Sequence, residues 1–339
     1  MLSNQIVTSN IKMKTYQQLW QSLTPLYDAG EAQAIVRTVL DVKYGMTLTD
    51  IICGKVNEIS ADEERKLEEI IIRLQKGEPV QYVLGEADFA GRTFHVEPGV
   101  LIPRPETAEL CQWIEKDMIE KSIVSSGDSP EDSSENSPQA TDDAKLILDI
   151  CTGSGCIAIT LGLNIPNSEV TGWDISEDAL RIAQGNVEMM KAGNVRIEHQ
   201  DALALPKAAE TDNEKMKGND DKEVVKPKGE AKTPSTQKWD LIVSNPPYIC
   251  EKEKADMEKN VLDYEPDLAL FVPDEDPLKF YRVIAEFASL ELRSWGMLYF
   301  EINPLYEKET REMLEGFGFK NIETKEDAFG KKRMMRAMK

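Results

Sequence analysis

The sequence predicts an α/β protein with a doubly wound, mostly parallel sheet, preceded by a small helical domain and a linking β-hairpin. Two observations carry this. From residue 146 onward short apolar runs alternate with amphipathic ones, as in "LILDI" then "GCIAITLGLN" and "EVTGWDI" then "EDALRIAQGNVEMMK", and such alternation puts helices on both faces of a sheet. Before residue 77, by contrast, apolar residues recur only at three- and four-residue spacing, the period of helices.

Taken in order, "YQQLWQSLTPLY" and "EAQAIVRTVLDVKY" are the first helices. "SADEERKLEEIIIRLQKG" opens with Ser60 as a cap, has Glu63 three residues on, and stops at Gly77, which is a capping-box signature. Residues 1–78 are therefore expected to be a helical domain. Residues 79–100 turn to aromatic and β-branched types punctuated by glycine and predict the hairpin, leaving 101–339 for the sheet. After "VRIEHQ", "WDLIVS" and "GMLYFEI", the closing pieces "KNIETKED" and "KRMMRAM" predict an antiparallel edge.

Two segments break this order. Residues 122–144 contain six acidic residues and neither a basic nor an aromatic one, and 207–238 are lysine- and acid-rich with few large apolar side chains. Neither can bury enough apolar area to offset the entropy of ordering, so both are expected to be disordered insertions.

Composition narrows the function. A net charge of −21 argues against broad capture of nucleic acid, which needs a basic face. No apolar run reaches membrane-span length, and the first residues lack the order of a secretory signal, so a cytoplasmic location is expected. The five cysteines fit neither a zinc site nor a redox pair and are expected to be reduced thiols. With two histidines, His95 and His199, no metal is expected. His199, at a strand end, is expected to be structural, and His95 has no assigned role.

Three motifs carry chemistry. In "LDICTGSGCIA" Gly153 and Gly155 let the backbone turn sharply beside a helix N-terminus, which suits a nucleotide-type cofactor or a tight turn alone. "GWDIS" places Asp174 at the end of the next strand, where a carboxylate can accept both ribose hydroxyls of a dinucleotide or of S-adenosylmethionine. The third motif, "SNPPYI" after the strand "WDLIV", decides for S-adenosylmethionine. A planar exocyclic nitrogen is a poor nucleophile because its lone pair is delocalised. Asn245 Oδ1 and the Pro246 carbonyl can hold its two hydrogens, the prolines fix φ and add no competing donor, and Tyr248 can stack on the planar group. The motif predicts amino-group methylation without choosing adenine, cytosine or a glutamine amide.

"GEPVQYVLGEADFAGRTFHVEPGVLIPRPET", "ILDICTGSGCIAITL", "GWDISEDALRIAQGN", "IVSNPPYI" and "YEPDLALF" together resemble the release factor glutamine methyltransferases, the PrmC or HemK family, in order from about residue 12 to the C-terminus. The resemblance implies a class I S-adenosylmethionine-dependent methyltransferase with a seven-stranded sheet, acting on the glutamine of the Gly-Gly-Gln loop of class I peptide chain release factors, with no direct nucleic-acid or membrane partner. It implies that Asp149, Cys151, Thr152, Gly153, Ser154 and Gly155 surround the methionine part of the cofactor. It also implies that Asp174 holds the ribose, that Ala202 borders the adenine where relatives can carry tryptophan, that Asn245 touches the cofactor as well, and that Asn245, Pro246, Pro247 and Tyr248 bind the glutamine, with Asn245, Pro246 and Tyr248 catalytic. Cys151 replaces the family's usual glycine, and a cysteine is expected to take an ordinary φ there. "LIPRPET" and "YEPDLAL", with Arg104, Glu106, Glu265 and Asp267, line the peptide entrance or serve as packing loops. The competing readings are an adenine-specific DNA methyltransferase using the same N-P-P-Y and an adaptor that only binds.

Overall fold

The computed structural model describes residues 15–126, 144–206 and 238–339. Most of the two expected insertions, 127–143 and 207–237, lies outside the described residues. The chain divides into two compact units.

The first unit holds the chain up to Ala87, with Val96–Pro98 and Met257–Glu265. Its helices are α1 (Tyr16–Gln21), α2 (Ala29–Tyr44), α3 (Leu48–Ile52), α4 (Ala61–Leu74) and α5 (Val80–Leu84), with a 3-10 turn at Lys55–Glu58. The capping box expected at Ser60 and Glu63 is present, each side chain bonding the other's backbone N–H. The helical spacing buries Leu23, Val36, Leu40, Ile71 and Leu74 in one cluster, which is where such short helices find their stability.

The hairpin expected over 79–100 is narrower: its strands are β1 (Glu86–Phe89) and β2 (Arg92–His95). The segment Val80–Leu84 is helical because Pro79 enters with φ −54 and Gly85 closes it in the left-handed region, φ 78, while Val83 and Leu84 join the helical core. β-Branched and aromatic types were overruled there by burial. The sheet domain expected from 101 to 339 also gives up Met257–Glu265 to the first unit.

The second unit takes Asp88–His95, with β2, and resumes at Gly99; its first helix is α6 (Pro105–Ser126), whose last turn extends into the segment expected to be disordered from 122. There follow β3 (Lys145–Ile150), α7 (Cys156–Asn164), β4 (Ser168–Asp174), α8 (Glu177–Met190), β5 (Val195–His199), β6 (Trp239–Ser244) and the short β7 (Ile249–Cys250). After α9 (Lys259–Tyr264), in the segment assigned to the first unit, come α10 (Asp267–Leu270), β8 (Phe271–Val272), α11 (Lys279–Glu291), β9 (Leu292–Glu301), α12 (Glu307–Gly316), β10 (Lys320–Glu326) and β11 (Lys332–Met338). The seven-stranded sheet runs β10-β11-β9-β6-β3-β4-β5. The five strands from β9 to β5 are parallel, and β11 and β10 add the expected antiparallel edge.

Alternation along the strands splits the core between the faces. Ile147, Leu241, Val243 and Tyr299 pack with Leu110 and Ile114 of α6 and Ile157 of α7. Leu148, Ile242, Leu298 and Phe300 pack with Tyr281 and Ile284 of α11 and Leu314 of α12. At the lower end of β3 the Lys145 Nζ donates to the Met118 carbonyl of α6 at 3.3 Å. At the upper end the register fixes the site: Ile150 pairs with Trp173 on one side and with Ser244 on the other. The residues that follow them, Cys151, Asp174 and Asn245, therefore leave three adjacent strands at one level.

Candidate active site

The turn after β3 is held from beneath. Asp149, fully buried, accepts from the Thr152 hydroxyl at 2.6 Å and from the Ala158 N–H of α7 at 3.2 Å through Oδ2. Burial pushes this carboxyl up to about 7 against those two hydrogen bonds, and its Oδ1 has no hydrogen-bond partner among the described residues. The Thr152 N–H donates to the Trp173 carbonyl of β4 at 2.9 Å. Gly172 makes room for this, since a Cβ there would lie 2.8 Å from Thr152 Oγ1.

With Thr152 pinned at both ends, the backbone must reverse at the residue before it. Cys151 accordingly takes φ 63, the left-handed region, and not the ordinary φ expected of a cysteine. A non-glycine residue held there costs on the order of 1–3 kcal/mol. Burial and the Asp174 and Asp149 charges raise its thiol well above the usual range, so it stays protonated. Gly155, φ 79, leads into α7; a Cβ there would come within 3.1 Å of Ile159 and 3.2 Å of Ala183.

Asp174 closes the loop from the side, accepting from the Gly153 N–H through Oδ2 and from the Ser176 N–H through Oδ1, both at 2.9 Å. Burial raises this carboxyl, and the backbone N–H groups oppose the rise. Asn186 of α8, also fully buried, ties the loop to β2: its amide donates to the carbonyls of Ser154 and His95 and accepts from the His95 N–H. His95 thus acts through its backbone. His199 ends β5, 3.9 Å from a Glu177 carboxylate oxygen.

The N-P-P-Y residues leave β6 into a buried polar network. Asn245 Nδ2 donates to the Thr107 hydroxyl at 3.2 Å, and that hydroxyl donates to Glu301 Oε2 at 2.6 Å. The Tyr248 hydroxyl donates to Glu301 Oε1 at 2.9 Å and accepts from Arg333 Nη1 at 3.1 Å. The Tyr248 carbonyl accepts from Asn303 Nδ2 at 3.0 Å. Burial raises the Glu301 carboxyl, while the bonds from Thr107 and Tyr248 and the Arg333 charge act against it.

These pieces border a cavity of about 190 Å³. Of the expected residues, Cys151, Thr152, Gly153, Ser154, Asp174, Ala202, Asn245 and Pro247 line it. Asp149, Gly155, Pro246 and Tyr248 do not: the first two shape the turn, and the Tyr248 hydroxyl belongs to the Glu301 network. Arg104 and Thr107 from "LIPRPET", Pro266, Leu268 and Ala269 around α10, and Gln200, Asp201, Leu203 and Phe280 also line the cavity. Glu265 lies in the first unit.

Its chemistry fits S-adenosylmethionine. Asp174 and Asp201 face Arg104 as the one cationic side chain among the described lining residues. That charge balance suits a cationic sulfonium and a ribose and disfavours a dinucleotide pyrophosphate. A carboxylate has about four acceptor sites, so Asp174 retains capacity for a hydroxyl beside its backbone N–H donors, and Ile175, Ala202, Leu203 and Phe280 supply apolar surface for a base.

Two family models match the chain, one described as the PrmC N-terminal domain over residues 24–85 and one as a methyltransferase domain over 141–272. The release factor glutamine methyltransferase of Bacteroides thetaiotaomicron is 43% identical over 94% of this chain and 96% of its own length. That of Flavobacterium psychrophilum is 35% identical over 96% and 98%, and that of Streptococcus pneumoniae 33% identical over 86% of each chain. The chain belongs to the release factor glutamine methyltransferase family. It is an S-adenosylmethionine-dependent methyltransferase by fold and by family, and no helix among its described residues is long and apolar enough to cross a membrane.

Thr107, Glu301, Arg333 and Asn186 are the functional candidates that sequence reasoning missed. Thr107, in the proline-bracketed "LIPRPET", and Asn186, which closes "GWDISEDALRIAQGN", had local signals; Glu301 and Arg333 had none.

Proposed function

We propose that this protein transfers a methyl group from S-adenosylmethionine to the side-chain amide nitrogen of the glutamine in the Gly-Gly-Gln loop of class I peptide chain release factors. The observation that carries the reading is the 43% identity to a relative of that name over 94% of this chain. The wall of the cavity formed by Asn245 and Pro247 agrees with it.

S-Adenosylmethionine, when bound, supplies a methyl carbon on a positively charged sulfur, an electrophile that needs no metal or strong base. The protein's task is positioning. Asp174 would hold the ribose, and the turn from Cys151 to Ser154 the methionine part. Asn245 Oδ1 and the Pro246 carbonyl would accept the two hydrogens of the target amide, turning the nitrogen lone pair toward the cavity. Tyr248, whose hydroxyl is engaged by Glu301 and Arg333, would offer its ring face to the amide plane. The extra proton on the methylated nitrogen would leave to solvent.

One side chain offers too little contact area for selectivity, so the helical unit is proposed to hold the body of the release factor. A substrate of the translation machinery would be met in the cytoplasm. The adenine alternative is not favoured by relatives whose names specify a release factor.

The test is mass spectrometry of purified release factor after incubation with the enzyme and methyl-labelled cofactor. A single added methyl on the Gly-Gly-Gln peptide is expected. Label on duplex DNA with none on release factor would overturn the reading.

A further inference from the structure

We propose that Glu301 and Thr107 are positioning residues that fix which way round the Asn245 amide faces. The inference rests on the reading of Asn245 as a hydrogen-bond acceptor for the target amide.

With Glu301 ionised, the state that the Thr107 and Tyr248 hydrogen bonds and the Arg333 charge favour, its carboxylate only accepts, and a hydroxyl carries one proton. Arg333 can only donate, so Tyr248 must receive its hydrogen bond at 3.1 Å, and the tyrosine's own proton goes to Glu301 Oε1 at 2.9 Å. The Thr107 proton goes to Oε2 of the same carboxylate at 2.6 Å. Glu301 is 2% and Thr107 2% exposed, so water does not readily replace either partner. With its proton committed, Thr107 Oγ1 can only accept from Asn245, 3.2 Å away. The atom facing it must be Nδ2. Oδ1 is then left on the other branch of an amide that lines the cavity.

Without this relay the two ends of the amide are nearly isosteric and could exchange. The flipped form would present an NH2 group to the target NH2, two donors meeting with no acceptor between them, which opposes binding of the target amide. One carboxylate at the end of β9 thus sets the polarity of Asn245 and the proton of Tyr248 together.

The test compares Thr107→Val, Thr107→Ser and Glu301→Gln with the wild type in single-turnover methylation of release factor at saturating cofactor. It is paired with the 15N resonance of the Asn245 side-chain amide, assigned by its loss in Asn245→Asp. Thr107→Val is expected to lower the rate at least tenfold with cofactor affinity unchanged, to shift the amide resonance and to speed its hydrogen exchange. Thr107→Ser should restore both, and Glu301→Gln, which can donate as well as accept, should behave like Thr107→Val. A wild-type rate in Thr107→Val with an unmoved resonance overturns the proposal while the function stands. Should wild-type enzyme leave release factor unmethylated, the functional reading fails, and the amide resonance alone still decides the relay.

Discussion

The Gly153 N–H donates to Oδ2 of Asp174 at 2.9 Å, joining the turn after β3 to the end of β4. The carboxylate that would hold the ribose is therefore also a tether of the loop that would hold the methionine. Asp174→Ala should weaken S-adenosylmethionine binding by about 2 kcal/mol, roughly thirtyfold, the scale of a charge-assisted hydrogen bond. Titration calorimetry measures it, and unchanged affinity would remove Asp174 from the cofactor site.

Asn245→Ala separates binding from chemistry. It should leave cofactor affinity within a few-fold and lower the single-turnover rate at least about a hundredfold, because it deletes an acceptor that orients the nucleophile. A mutant that turned over normally would refute this role.

Cys151 offers a test of backbone strain. At φ 63, Cys151→Gly relieves the left-handed penalty but adds freedom to the unfolded chain, so the two effects largely offset and the midpoint of unfolding should move little. Cys151→Val places a β-branched residue at the same φ and should destabilise by about 2 kcal/mol or more. Equal stability of the two variants in urea would show that the turn relaxes.

Asp149 predicts a pH dependence with a definite sign. Its carboxyl is raised from 3.8 to about 7 in the folded protein, so the folded state binds the proton more tightly. The associated stability is complete below pH 3.8 and is lost as pH rises through about 7. Relative to Asp149→Asn, the wild type should lose about 3 kcal/mol of unfolding free energy between pH 5 and 8, at roughly 1.4 kcal/mol per pKa unit. Parallel curves for the two proteins would refute the assignment.

What the sequence disclosed was local. The capping box of Ser60 and Glu63, the apolar strands and the antiparallel edge follow from periods and punctuation within a few residues. The glycine turn, Asp174 and N-P-P-Y were legible because each is a short motif on a strand end. The relay was not, since Asn245 meets Thr107 across 138 positions and Thr107 meets Glu301 across 194. No period marks such pairs, and Glu301 closes an apolar strand as any solvent-facing glutamate might be expected to. Cys151 misled for a related reason: its φ is dictated by Thr152 bonding Trp173 and Asp149, not by its own preference. Val80–Leu84 fell inside the expected hairpin because its residue types favour strand, whereas the left-handed cap at Gly85 closes a helix.

The parallel register gives the sheet two edges with different uses. The Lys145 bond to Met118 shows that α6 returns to the lower edge, where β3 starts, and the six residues of β3, at about 3.3 Å each, separate that edge from Cys151 by about 20 Å. The described anchors Ser126 and Lys145 thus lie on the side away from the chemistry. A fluorescent reporter, an affinity handle or a surface tether spliced between those anchors would leave the cavity mouth unobstructed, making this connection the natural place to instrument the enzyme for binding and turnover measurements.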